Sequence, residues 1–158
     1  MTLEKLLLER LAKWRPDSGR QTLEVSHPES GWAAAVTADH VEVLGCRLWE
    51  LALRRPAGAA PAEDLKAWAD RVASRATGLL EDLRVVEVDA PAGVALLRSD
   101  SPGQWGDGLF YYEVLLGADG GTTLRRYQAP GSDRPRREQV PFTLTHEALA
   151  KLVTDLTA

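Results

Sequence analysis

A chain of 158 residues with 44% apolar and 27% charged residues has the composition of an ordinary soluble globular protein with room for one core. A net charge of −4 excludes the whole chain as an electrostatic partner of nucleic acid. The single cysteine, Cys46, excludes an intrachain disulfide and a cysteine zinc site, and reads as a small hydrophobe in a strand.

Leu3, Leu6, Leu7, Leu11 and Trp14 recur at helical spacing, with Thr2 as cap and Pro16 past the end. This opening carries Glu4, Lys5 and Glu9 and lacks the pattern of a signal peptide, and no apolar run reaches the roughly 20 residues of a membrane span. A cytoplasmic protein is expected, and the excess of arginine and alanine suggests a GC-rich bacterial source. Residues 21–26 alternate as a strand, 27–31 form a turn, and 32–37 return as a second strand. Residues 39–45 fit either a helical turn or a strand, and are read as a bend. A third strand is expected over about 47–55 with Trp49, Leu51 and Leu53 inward.

Residues 56–61 read as an exposed Ala/Gly/Pro linker. Pro61 opens a second helix with Glu63 and Asp64 in its first turn. Leu65, Trp68, Ala69, Val72, Ala76, Leu79 and Leu83 are its buried stripe, and Gly78 weakens or ends it. Residues 85–88 and 94–98 pair as a hairpin, and 99–108 form a polar loop containing Trp105. Leu109–Leu116 and Thr122–Tyr127 make the central hairpin. The apolar run over both faces of its first strand predicts a central position with cover on both sides. One face of its second strand is expected to meet water through Arg125 and Arg126. Val140, Phe142 and Leu144 alternate in a last strand that Pro141 confines to an edge. Thr145 caps a final helix with a Leu144–Leu149 staple and a stripe of Leu149, Leu152, Val153 and Leu156.

The fold class is therefore α+β: a mainly antiparallel sheet of β-meanders with three packed helices, in the order α-β-β-β-α-β-β-β-β-β-α, as one domain over 1–158. Two segments match at an offset of 63: Glu24 with Glu87, and Glu50 with Glu113. A duplicated α-β-β-β unit, 1–56 and 61–128, is the expectation this raises.

No residue set amounts to a catalytic, cofactor or metal signature. His27, His40 and His146 share no ligand spacing, and Asp39–His40 has no nucleophile motif beside it. Gly103–Gly108 resembles a phosphate loop, but a strand follows where a helix N-terminus is needed. Glu50 and Glu113 stand in apolar strands and are read as facing solvent or a neighbouring arginine. Trp105, in a polar loop, either folds back onto the core or awaits a partner. Arg125, Arg126, Arg134, Arg136, Arg137 and Tyr127 form a basic patch if the chain turns back after Tyr127. It reads as a solvated edge or a polyanion site.

The order helix, strands, helix, strands, helix is similar to that of the small type III secretion chaperones. The resemblance covers element order only, and extra strands in the second half depart from it. It implies an acidic cytoplasmic α+β dimer that binds unfolded segments of secreted proteins. The leading functional reading is a non-catalytic protein-binding or adaptor module rather than an enzyme, with a homodimer or another protein as partner. Its candidate partner-binding residues are Trp105, Arg125, Arg126, Tyr127 and Arg137. Polyanion or nucleic-acid binding by the arginine hairpin is the second reading. A small enzyme with a site near Glu113 and Asp39–His40 is the third. No cofactor and no membrane partner is expected.

Overall fold

In the computed structural model, which describes residues 1–56 and 64–157, the expected α+β order is observed. α1 (Leu3–Lys13) precedes β1 (Gln21–Ser26), β2 (Ala33–Val41) and β3 (Gly45–Arg54). α2 (Leu65–Arg75) precedes β4 (Leu83–Asp89), β5 (Val94–Ser99), β6 (Gly103–Trp105), β7 (Gly108–Gly117) and β8 (Gly121–Gln128). β9 (Glu138–Val140), β10 (Phe142–Thr145) and α3 (His146–Thr157) follow. The strands form one antiparallel sheet in the order β1-β2-β3-β8-β7-β5-β4, with β6 beside β7, β9 beside β8 and β10 beside β3. α3 packs on β3, and α1 and α2 flank it.

Each helix starts on the cap its sequence supplies. The Thr2 hydroxyl accepts from the Lys5 N–H at 3.2 Å, and the Thr145 hydroxyl from the Ala148 N–H at 3.0 Å. The Asp64 carboxylate accepts from the Ala67 N–H at 2.8 Å. Asp64 is thus the cap of α2 rather than part of its first turn, while Pro61 and Glu63 lie outside the described residues. α2 stops at Arg75, so Leu79 and Leu83 leave the expected helical stripe, and Leu83 opens β4. Gly78 lies beyond the end.

Three further expectations are corrected. In 39–45 the bend is confined to the residues between Val41 and Gly45, because β2 runs on to Val41, and Trp49 points away from the core. The pairing slips between Thr37 and His40, so Trp49 becomes an extra residue on β3, and Cys46 and Leu48 turn inward with Leu51 and Leu53. The polar loop 99–108 contains β6, which hairpins onto β7 through Gly106–Asp107. Gly106 has φ +58°, as the first central position of a type II′ turn requires. Finally, the last strand is two strands. β9 runs up along β8, the chain reverses at Pro141, and β10 runs back along β3. Pro141 thus sits at a fork where β3 and β8 part.

A single row of side chains crosses the sheet under the helices: Leu23, Val36, Leu51, Leu124, Val114 and Leu97, all buried. The next row, one residue along, faces the other way: Thr22, Thr37, Glu50, Arg125, Glu113 and Arg98. β7 is therefore central, but its outer face is not roofed by a helix. Leu109 and Leu115 stay 45% and 40% exposed there, while Tyr112 on the inner face is buried.

The proposed repeat is matched in spacing but not in hand. Glu24, Val25 and Ser26 pair with Ala35, Ala34 and Ala33 just as Glu87, Val88 and Asp89 pair with Leu96, Ala95 and Val94. β3 and β7 both run antiparallel to β8 from opposite sides, so they run the same way. β2 then lies beyond β3 on one side and β5 beyond β7 on the other, with the helices over the same face. The two meanders are mirror-related about β8, and no rotation superposes them with their helices on one side. The duplication is not confirmed.

Replacing Leu97, fully buried, by alanine should cost about 2–5 kcal/mol in urea unfolding. Leu44→Ala, at a site 79% exposed, should stay within about 0.5 kcal/mol. Burial pushes the Cys46 thiol up to about 12, so the native protein should not react with a thiol reagent at neutral pH until it is unfolded.

Candidate partner-binding site

The alternation of a strand decides where the arginines go. Arg125 and Arg126 are neighbours on β8, so they point to opposite faces. They do not gather on one side with Arg137, as a basic patch would require. Arg126 lies under the helices, 5% exposed, and donates to the Glu81 carboxylate at 2.8 and 3.2 Å. Arg125 faces out and is held by Glu50 at 2.6 Å. Arg137 reaches back to Glu113 and lies 3.8 Å over the Tyr127 ring. Glu113 is also approached by Arg98 at 3.6 Å. Both strand carboxylates therefore face arginines on adjoining elements. Arg134 pairs with Glu138 at 3.3 Å.

The candidate acid–base residues do not assemble. Asp39 accepts two hydrogen bonds from Arg47, at 2.7 and 3.1 Å, and one from the Trp49 indole at 3.0 Å. His40 turns instead to Glu42 at 2.9 Å. The Arg47 guanidinium holds the Asp39 carboxyl below its ordinary value. His27 bridges Ser30 and the Met1 carbonyl in its turn. His146 is buried at the start of α3, and burial lowers its pKa. Among the described residues no group of three His, Cys, Asp or Glu could hold a metal ion, and no helix is long and apolar enough to cross a membrane.

Trp105 and Arg126, separated by 21 positions in sequence, meet at one cavity of about 380 Å³ near the fork. Phe110 and Tyr112 of β7, Leu80 from the α2–β4 loop and the run from Val140 to Thr143, which includes Phe142, complete its wall. Tyr112 and Phe142 meet edge to face, with ring centroids 5.5 Å apart. The Arg126 guanidinium lies 4.2 Å over the Tyr112 ring. Beneath them Ser99 donates its hydroxyl to Glu81 at 2.9 Å and accepts the Tyr112 N–H at 2.8 Å. Burial raises the Tyr112 phenol above its ordinary value. Gly103 lets β6 cross this ion pair. A Cβ there would lie 3.3 Å from both the Arg126 guanidinium and the Glu81 carboxylate.

The cavity opens at an apolar end of the molecule. Val43, Leu44, Leu80 and Trp105 are 78%, 79%, 76% and 70% exposed, more than any other large hydrophobic side chain among the described residues. They come from the turns or loops that precede β3, β4 and β7. Those three strands run the same way, so the four side chains lie toward one end of the sheet. Leu80 and Trp105 line the cavity, whereas Val43 and Leu44 border separate clefts beside Arg15 and His40. Of the five residues expected at a partner site, Trp105 and Arg126 reach this cavity. Arg125, Tyr127 and Arg137 belong to the outer face. Leu80, Phe110 and Phe142 were not anticipated. Only the pair Leu79–Leu80 hinted at a second role, since a chain leaving a helix end can bury just one of two adjacent leucines.

Glu81→Ala would leave the Arg126 guanidinium buried without its carboxylate, and should cost about 3–5 kcal/mol in equilibrium unfolding. The depressed Asp39 pKa gives a second expectation. Its stabilisation is present above the unfolded value near 3.8 and is lost as pH falls through the lower folded value. Asp39→Asn should thus lower neutral-pH stability and flatten the acid limb of a stability–pH curve.

No protein-family model, no curated protein and no solved structure matches this chain.

Proposed function

We propose that this chain is a non-catalytic protein-binding module whose partner face is the end of the sheet carrying Leu80, Trp105 and the aromatic cavity. One observation carries the reading: Leu80 and Trp105, two of the most exposed large apolar side chains, come from separate connections to the wall of one aromatic cavity. Scattered exposed hydrophobes are ordinary, whereas gathered ones mark an interaction surface. An exposed tryptophan beside a leucine and a cavity is also the composition of an interface hot spot.

The chemistry elsewhere agrees. Asp39 and Glu113 are each bound to their own arginines, which leaves neither poised for acid–base work. A polyanion at the arginine hairpin would have to displace Glu50, Glu81 and Glu113 from Arg125, Arg126 and Arg137. A cytoplasmic setting, and a second copy as one partner class, belong to this reading. The secretion-chaperone analogy rests on element order alone.

Phage display of random dodecapeptides on the immobilised protein tests it. Enriched peptides should lose at least about tenfold in affinity on Trp105→Ala or Leu80→Ser, with the melting temperature unchanged. No enrichment, or binding indifferent to both substitutions, overturns it.

A further inference from the structure

We propose that the Trp105–Leu80 cavity takes a polypeptide segment that combines an apolar side chain with lysine or arginine neighbours. This rests on the binding-module reading and names the chemistry of the partner.

The first argument is charge. Four carboxylates belong to the segments that supply the cavity wall: Glu81 and Asp82 directly follow Leu80, Asp107 follows Trp105 by two residues, and Asp100 precedes β6. Their placement follows from backbone contacts. The Asp100 N–H donates to the Asp82 carbonyl at 2.7 Å, which ties the α2–β4 loop to the residues just before β6. Asp107 sits in the turn two residues beyond Trp105. Glu81 is neutralised by Arg126, and Asp100 shares Arg84 at 3.6 Å. Asp82 and Asp107 are exposed and have no cationic partner among the described residues. The segments that frame the cavity thus carry an excess of negative charge, while its wall holds aromatic rings and the ion-paired Arg126.

The second argument is the chain's own habit. Arginines lie over several of its rings: Arg20 over half-buried Trp49 at 3.4 Å, Arg98 over half-buried Tyr111 at 5.2 Å and Arg137 over buried Tyr127 at 3.8 Å. Arg55 lies over Trp32 and Trp68. No cationic side chain lies over Trp105 among the described residues, although it is the most exposed of the tryptophans. An indole face is the best of the aromatic seats for a cation, and a lysine or arginine stem adds apolar contact with it. A partner cation lying on Trp105 would bring its charge toward Asp107, while its apolar neighbour enters between Leu80 and Phe110.

The occupant is a polypeptide rather than a small molecule because the largest apolar contributors stand on the rim. Leu80 and Trp105 project outward and cannot enclose a small ligand, whereas a chain laid across them covers both.

Calorimetric titration decides the matter with three capped heptapeptides that alternate leucine with lysine, with serine or with glutamate. The lysine peptide should bind at least about tenfold tighter than the glutamate peptide, and weaken as salt rises. Asp82→Asn with Asp107→Asn should remove that preference, Trp105→Ala should remove the binding, and both variants should melt as the parent does. If all three peptides bind equally through Trp105, the module reading stands and this inference falls. If the preference survives the double substitution, the inference also falls. If the lysine peptide fails to bind at millimolar concentration while display yields Trp105-dependent binders, the cationic partner is wrong. If display fails as well, the module reading goes with it.

Discussion

The structure depends on two adjacent rows of side chains that cross the sheet one residue apart. The inner row, Leu23 to Leu97, supplies the apolar floor on which α1, α2 and α3 rest. Each fully buried leucine or valine in it contributes about 1.5–3 kcal/mol. The outer row runs through Glu50, Arg125, Glu113 and Arg98. Because a strand alternates with period two, neither row can exist without fixing the other. A slip of one residue between any two strands would bury the charges and expose the leucines. Register is therefore held from both faces at once.

The same device explains why the outer face needs no helix. Glu113 is only 7% exposed, yet it is covered by arginine side chains from β5 and from the segment before β9, not by an apolar layer. Those guanidiniums also lie over Tyr111 and Tyr127, so the aromatic rings of this face are partly shielded by the groups that neutralise the carboxylate. That outer surface is built mainly of mutually satisfied charges, with Leu109 and Leu115 partly exposed beside them. The most exposed apolar side chains stand toward one end instead, where Leu80 of the α2–β4 loop and Trp105 of the β6–β7 hairpin share a cavity.

The first and last helices with their caps, the central hairpin and the meander order were legible before any coordinates, because each is a local matter, whereas both ends of α2 were not. Thr2 and Thr145 announce caps, and aromatic alternation around Gly117–Gly121 announces a hairpin. The misreadings share a different cause. Trp49 was placed inward because an unbroken alternation through Leu51 and Leu53 demands it, and an irregularity in pairing with β2 is invisible in β3 alone. β6 was hidden because three residues of glycine, glutamine and tryptophan carry no period. The hand of the two meanders could not be read at all, since equal spacing is shared by a unit and its mirror image.

The candidate site shows the same division. Polar surroundings singled out Trp105 but left open whether it folds back onto the core, and that Arg125 and Arg126 differ in fate was implicit in strand alternation. Sequence by itself determined the class of fold, the number of helices, the caps of α1 and α3 and the lack of a catalytic motif, because those depend on near neighbours. Only the tertiary structure decided which carboxylate answers each arginine, since Glu81 and Arg126 are 45 residues apart and a charge pair leaves no periodic trace. It alone brought Leu80, Trp105 and Phe142 to one cavity, because their meeting depends on where four strands end rather than on what any of them spells.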